Sequence, residues 1–258
     1  DFSPRAIETL KNADFLAVED TRVTVKLLNR FGIKKEMLAY YEHNKNSKGN
    51  LIIERILSGE NCALLSDAGM PAISDPGEDL VKDAYENNIK VESVPGPSAL
   101  ITALAISGMP SGRFCFEGFL TMNKIGRREH LESLKTEKRT MIFYEAPHKL
   151  SATLQDMLKT FGNRKIALVR ELTKLHETVF HTTLSEAIEH YSENAPRGEF
   201  VLIVNGAKEE TAVYGMEDAL KIANKLTAEG QSTSSAAKEA ANITGLKKGE
   251  IYKALLNG

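Results

Sequence analysis

Cys62-Ala63-Leu64-Leu65-Ser66-Asp67-Ala68-Gly69-Met70-Pro71-Ala72-Ile73-Ser74-Asp75-Pro76-Gly77 joins an apolar run to the densest Gly/Pro/Asp segment of the chain. The apolar run reads as a strand, and a helical pattern from about Gly77 to Asn87 follows it. Lys90 to Val94 reads as a further strand, running straight into Pro95-Gly96-Pro97-Ser98 and a helix from Ser98 to Ser107. Both loops then lie at carboxyl ends of parallel strands, where open α/β sheets bind their ligands. Proline fixes φ, and glycine lets another backbone or a ligand approach closely. Any strand-to-helix loop can hold Gly and Pro, but two stiffened turns side by side exceed what a connection needs. They predict a rigid cleft wall lined by main-chain groups.

The same alternation extends outward. Phe15 to Val18 and Met37 to Tyr40 read as strands, with helices from about Thr21 to Phe31 and from Leu51 to Leu57. Strands separated by helices imply parallel pairing through right-handed crossovers. Ser3-Pro4 has the form of an N-cap and first helical residue. An α/β domain rarely begins with a helix, so a strand and loop are expected ahead of Asp1. Gly108-Met109-Pro110-Ser111-Gly112 reads as a linker, giving one α/β domain over 1–110 and a second over 111–208. Phe114 to Phe119, Met141 to Tyr144, Ile166 to Val169 and Phe200 to Val204 are the second domain's strands. A helical segment over 209–258 closes the chain. Its two last helices, joined at Gly245, have the form of a helix-turn-helix or of a helical cap, and the segment has no net basic excess.

Composition narrows the function. A 258-residue chain with 42% hydrophobic and 26% charged residues has enough apolar content for a sizeable core. A net charge of −2 argues against a protein that coats nucleic acid by charge alone. Cys62 and Cys115 read as reduced core residues of a cytoplasmic protein, and neither a leader nor a membrane span is visible. There is no G-x-x-x-x-G-K, no G-x-G-x-x-G, no G-x-S-x-G and no H-E-x-x-H, so nucleotide-triphosphate, dinucleotide, acyl-transfer and zinc sites find no support. Asp67 and Asp75 could share a Mg²⁺. Asp75 before Pro76, however, reads as a helix N-cap, and Asp67 as an acceptor for a cofactor or its own loop.

In the second domain, Tyr144-Glu145-Ala146-Pro147-His148-Lys149 and Arg170-Glu171-Leu172-Thr173-Lys174-Leu175-His176-Glu177 crowd ionisable groups just beyond strand ends. Arg170, Lys174, His148 and His176 are expected to contact substrate anions, with Glu145, Glu171 or Glu177 orienting them. Lys124, Arg127, Arg128, Lys135, Lys138 and Arg139 form a basic stretch diluted by Glu129, Glu132 and Glu137. Alone it reads as a solvated helix face.

With Glu19-Asp20-Thr21-Arg22, Glu42-His43-Asn44 and Gly198-Glu199-Phe200-Val201-Leu202 added, these motifs resemble, in order and over nearly the whole chain, the tetrapyrrole methylase superfamily. Within it they resemble the branch that 2′-O-methylates a cytidine ribose of 16S ribosomal RNA. The resemblance implies two α/β domains of that type with a cleft between them, and a cytoplasmic homodimer with no membrane association. Its partner would be 16S rRNA within the 30S subunit. S-adenosylmethionine would be held by Asp67, Gly69, Met70, Pro71, Ile73, Ser98 and Ala99, with Tyr144, Phe200 and Leu202 closing over it. Superfamily relatives carry Gly-Asp-Pro where this chain has Gly69-Met70-Pro71, and Asp67 is the candidate for that carboxylate's work. The superfamily also begins with a strand and Gly-rich loop not found in this sequence.

The catalytic group would be Glu145, Arg170, Lys174, His176 and Glu177, and Lys124, Arg127, Arg128 and His148 would hold RNA phosphates. His176 with Glu177, Lys174 at lowered pKa, and Glu145 stand as alternative bases. No metal is called for. The competing readings are a methyltransferase of this fold acting on a tetrapyrrole or other small molecule, and a non-catalytic RNA-binding protein.

Overall fold

The computed structural model describes residues 1–208 and 214–256. It forms two compact units, Asp1–Ala207 and Lys208–Gly258. The first unit opens with α1 (Pro4–Asn12), where Ser3 Oγ accepts the Ala6 N–H at 3.1 Å. Then follow β1 (Phe15–Val18), α2 (Thr21–Arg30), β2 (Glu36–Ala39), α3 (Lys45–Leu57), β3 (Cys62–Leu65) and α4 (Glu78–Glu86). The strands form a parallel sheet in the order β2-β1-β3. Central β1 has no exposed residue, so its continuous apolar run serves both faces. Phe15 and Ala17 pack with Tyr40, Ile52 and Leu80, and Leu16 and Val18 with Leu10, Leu28 and Ile33.

Two sequence expectations fail in this region. Lys90–Val94 is not a strand: β3 is the sheet edge, and among the described residues the segment joins no ladder. Apolar alternation makes a strand only where a neighbour supplies hydrogen-bond partners. The N-cap of α4 is Gly77 at φ +145°, not Asp75.

The second sheet contains β4 (Phe114–Phe119), β5 (Thr140–Glu145), β6 (Lys165–Arg170), β7 (Thr178–Thr183) and β8 (Phe200–Val204), in the order β4-β5-β8-β6-β7. β4 and β5 are parallel, while β8 runs antiparallel between β5 and β6. β7, which sequence reading passed over, is a half-exposed edge strand whose threonines and His181 dilute the apolar signal. One face of this sheet packs on α7 (Pro147–Phe161) and α8 (Leu184–Glu193) through Phe143, Leu168, Phe200 and Leu202. The other packs on α5 (Ala99–Ile106) through Ile142, Val169, Val201 and Ile203. α5 thus belongs by packing to this sheet, although it precedes the Gly108–Gly112 stretch.

Arg127, expected to hold RNA, is buried on α6 (Lys124–Ser133). Its Nε and Nη2 donate to Asp156 Oδ2 of α7 at 2.9 and 2.7 Å. The periodicity that gives α6 an inner face places Arg127 on it beside Leu131. Asp156→Ala therefore strands a buried cation and is expected to destabilise the protein by about 3–5 kcal/mol in urea unfolding. An Arg127→Met, Asp156→Leu double variant should recover most of that loss. Equal damage from both variants would show that packing, not the unpaired charge, is responsible.

The second unit holds α9 (Met216–Ala228), α10 (Thr233–Thr244) and α11 (Lys248–Leu256). Gly245, left-handed at φ +73°, ends α10. Ala219, Ala223, Ala236, Ala237, Ala240 and Ile251 form its core, where small side chains let the helices approach closely. The helical reading from Glu209 onward falls partly on 209–213 and 257–258, outside the described residues. Among the described residues no helix is long and apolar enough to cross a membrane.

Candidate active site

β1 and β3 end level, Val18 beside Leu65, which sets Glu19-Asp20 against Ser66-Asp67. Asp67 Oδ1 accepts the Asp20 N–H, and Glu19 Oε2 accepts the Asp67 N–H, each at 3.3 Å. Ser66 Oγ donates to the Gly69 carbonyl at 3.0 Å. Gly69, Ala72 and Ser74 are left-handed, at φ +88°, +66° and +63°. Such strain in non-glycine residues persists only where the surroundings impose it, and it concentrates at ligand sites.

The two Gly/Pro turns meet. A Cβ on Gly69 would lie 3.4 Å from the Pro97 carbonyl oxygen, and one on Gly96 would lie 3.3 Å from Met70 Sδ. Tyr144 of β5 fixes the second turn from below, its Oη accepting the Leu100 N–H of α5 at 3.1 Å. The second sheet touches the first turn where Gly118 of β4 faces Ser74 Oγ, which would be 3.7 Å from an added Cβ. Among the described residues, apart from the tight turn at Pro71–Ala72, the N–H groups from Ala68 to Asp75 make no close hydrogen bond within the protein. A cleft wall of free main-chain donors, with Ile73 about half exposed, suits a polar cofactor that carries a flat ring.

Asp75 lies between these walls. Burial, followed by the charges of Glu19 and Asp67, pushes its carboxyl up to about 6, against a hydrogen bond from Ser66. The folded protein thus takes up this proton more readily than the unfolded chain, and the group costs stability as pH rises from about 4 through 6. Asp75→Asn is expected to raise the melting temperature at pH 7.5 and to leave it unchanged at pH 4 or below. A shift of the same size at both pH values would assign the effect to shape.

The strand ends of the second sheet converge on β8. Glu145 and Arg170 both lie opposite Phe200, on the α7/α8 face, whereas Tyr144, Val169 and Val201 share the α5 face. Period-two alternation therefore corrects the sequence reading of β8. The side chains of Phe200 and Leu202 are buried in the far core, and those pointing toward α5 and Tyr144 are Val201 and Ile203.

Glu145 is only 2% exposed. It accepts from the Ala146 N–H at 2.9 Å, Lys149 Nζ at 3.1 Å and Thr153 Oγ1 at 2.5 Å. Locked to the start of α7 in this way, it is no base for a bound substrate.

The loop from Glu171 to Glu177 is rigidly built. Glu171 and Thr173 have φ of +50° and +64°. Glu171 Oε1 accepts from the Glu199 N–H and from Lys174 Nζ, both at 3.0 Å, and Lys174 Nζ also meets Glu199 Oε2 at 3.0 Å. A Cβ on Gly198 would lie 2.5 Å from Glu171 Cγ, so only glycine fits beneath this network. The Glu199 and Glu171 carboxylates raise the Lys174 pKa, which makes Lys174 a fixed cation and removes it from the candidate bases. Glu177 Oε2 accepts the Thr173 N–H at 2.6 Å. Arg170 Nη2 donates to the His176 carbonyl at 3.4 Å, while Arg170 Nε is buried without a partner.

His176 and His148 are exposed, as are Lys124 and Arg128, although Arg128 Nε also donates to Asp156 at 3.0 Å. Leu172 packs beside Leu100 and Val201, tying the loop to α5. A separate hollow of about 340 Å³ lined by Arg113, Glu137 and Arg139 lies at the opposite, amino-terminal ends of β4 and β5. Among the described residues no group of His, Cys, Asp and Glu is placed to hold a metal ion.

Sequence reading missed Gly118 and the pairing of Tyr144 with α5, and it quoted Gly198 and Glu199 in a motif without giving them their place under the Glu171–Lys174 network. The two glycines carried a signal, since each stands inside or beside a strand where a side chain would be normal.

This arrangement defines a tetrapyrrole methylase: residues 1–188 match the family model for Tetrapyrrole (Corrin/Porphyrin) Methylases, and the chain belongs to that family. Solved structures agree in fold. Diphthine synthase superposes with a TM-score of 0.60 over 79% of this chain and 84% of its own, at 14% identity. Uroporphyrin-III-C-methyltransferase from Thermus thermophilus gives 0.55 over 79% and 87%, at 18% identity.

The branch is equally plain. Ribosomal RNA small subunit methyltransferase I of Xylella fastidiosa is 47% identical over 98% of this chain and 93% of its own length. Those of Halalkalibacterium halodurans and Synechocystis sp. are 45% and 43% identical over 98% of this chain and 89% and 91% of theirs. Residues 216–258 match the RsmI C-terminal HTH domain. The chain is a member of the ribosomal RNA small subunit methyltransferase I family.

Proposed function

We propose that this protein transfers a methyl group from S-adenosylmethionine to the 2′-hydroxyl of a cytidine in 16S ribosomal RNA, with the assembled 30S subunit as substrate. The observation that carries the reading is the contact of two proline-stiffened turns, the first with free N–H groups, while Leu172 of the loop that carries the fixed cation Lys174 packs with Leu100 just past the second turn. Gly69, Met70, Ser98 and Ala99 would offer main-chain donors to the cofactor and Asp67 its carboxylate, with Pro71 and the Ile73 side chain lining it and Tyr144 and Val201 behind it. When bound, that cofactor supplies an electrophilic methyl group, and the displacement needs no metal.

The chain's own work is alignment, for which effective molarities of about 10⁵–10⁸ M are known. Arg170, Lys174 and His148 hold phosphates, which sets register without reading sequence. Lys124 and Arg128 extend this grip. His176 is exposed on a loop that Arg170 and Glu177 fix, and it is the base we assign to the ribose proton, a role that contributes on the order of 10²–10⁴-fold. The reading includes a cytoplasmic homodimer.

The test is labelled cofactor incubated with 30S subunits lacking the modification and, separately, with a tetrapyrrole precursor. Label in the RNA ribose supports the proposal. Label in the tetrapyrrole alone makes the protein a small-molecule enzyme, and failure to bind the cofactor makes it a non-catalytic RNA-binding protein.

A further inference from the structure

β4 carries an irregularity that the fold does not require. Phe116 pairs with Ile142 and Phe119 with Tyr144, so three residues of β4 span two of β5, and Glu117 is the extra one. Gly118, at φ +63°, completes the bulge. In a regular strand Phe119 would point to the α7/α8 face, the opposite side from Phe116. The bulge turns it onto the face of Phe116 and Tyr144, with ring centroids 4.9 Å (Phe116) and 5.4 Å (Phe119) from that of Tyr144. Leu120 takes the core position instead. Bulges next to active sites commonly re-aim a side chain in this way.

The re-aimed ring is not buried. Phe119 remains 54% exposed, next to the tyrosine that pins the cofactor turn and one residue from the glycine facing Ser74. Lys149 Nζ lies 5.6 Å from its ring centroid. Met122 and Ile125 follow it, 74% and 70% exposed. A single exposed phenylalanine needs no explanation. One turned outward by a bulge, at the mouth of the site and beside a cation, does.

We propose that Phe119 is the platform on which the substrate's pyrimidine base stacks once it has left the RNA strand, placing its ribose at the cofactor turns. Sequence-specific recognition of RNA works mostly on unstacked bases, and aromatic faces are the usual support for a base that is splayed out. This subsite rests on the ribose-methylation reading above.

The experiment compares Phe119→Leu, which keeps the apolar cover of Tyr144 but has no π face, with Phe119→Tyr, which keeps the face. Methylation of 30S subunits and cofactor affinity are measured for both. Stacking on this ring predicts kcat/KM on 30S lower by about 5- to 150-fold for Phe119→Leu, the equivalent of the roughly 1–3 kcal/mol a base–aromatic stack contributes. Phe119→Tyr should stay within about threefold, and neither variant should change cofactor Kd or melting temperature. Equal activity of the Leu and Tyr variants, or loss of cofactor affinity in step with activity, overturns the stack. Absence of RNA methylation by the unaltered protein removes the reading beneath it, and the subsite with it.

Discussion

Arg170→Ala is expected to leave S-adenosylmethionine affinity within about twofold of the unaltered protein while lowering methylation of 30S subunits by roughly 10²-fold or more. The division follows from the sheet. Arg170 shares the α7/α8 face with Phe200, on the opposite side from Tyr144 and Val201, so it does not reach the wall assigned to the cofactor. It does two other things. Its Nη2 holds the carbonyl of His176, and the side chain, only partly buried, is assigned a phosphate contact through its remaining accessible guanidinium donors. Truncation removes an anion contact and frees the loop that carries the proposed base, and a misplacement of about 1 Å suffices for a 10²-fold loss. Arg170→Lys should recover only part of the activity, because an ammonium has neither the fork nor the reach to serve both partners. Measured against salt concentration, the alanine variant should also show a shallower dependence of RNA binding, by about one phosphate contact. A parallel fall in cofactor affinity would refute this assignment and place Arg170 in service of the cofactor turns.

What sequence could and could not reveal follows from the range of the forces involved. Short-range signals were sufficient for β1, β3 and α2, because the apolar run, the cap and the stop lie within a few residues of one another. The two Gly/Pro turns were legible for the same reason, since proline and glycine act on their own backbone. Lys90–Val94 failed because a strand also depends on its neighbour, and no local pattern states whether one is present. β7 failed in the other direction: its polar residues suit an edge, but only the ladder with β6 makes it a strand. In the candidate site, residue type drew attention to the loops at the strand ends and misjudged individual side chains. Glu145 and Arg127 looked like surface chemistry until burial showed each spent on an internal partner. Phe200 and Leu202 were one residue out of phase, an error that alternation turns into the wrong face of the sheet. Lys174 was read as a base of depressed pKa, yet two carboxylates that meet it only in the folded chain raise that pKa.

The second large effect is expected at Gly69, and a short series separates its causes. Gly69 has φ +88°, where an L-residue is strained by roughly 1–2 kcal/mol, and an added Cβ would touch the Pro97 carbonyl oxygen at 3.4 Å. The turn lies open on the surface, so the folded protein can escape the strain by letting the loop swing away, and melting should move little. Binding cannot escape it, because the free N–H groups must return to their native arrangement to meet the cofactor. The strain therefore reappears as lost affinity. Gly69→Ala should weaken S-adenosylmethionine binding by about tenfold, the equivalent of 1.4 kcal/mol. Gly69→Val adds a β-branched side chain at positive φ and crowds the second turn, and it should weaken binding by at least about 10²-fold. Gly32→Ala is the control: φ there is +64°, and nothing lies within 4 Å of an added Cβ. Its strain should lower stability without touching affinity. If Gly69→Val instead melted early while binding the cofactor normally, the contact between the two turns would be a structural joint, and the cofactor would have to be sought elsewhere.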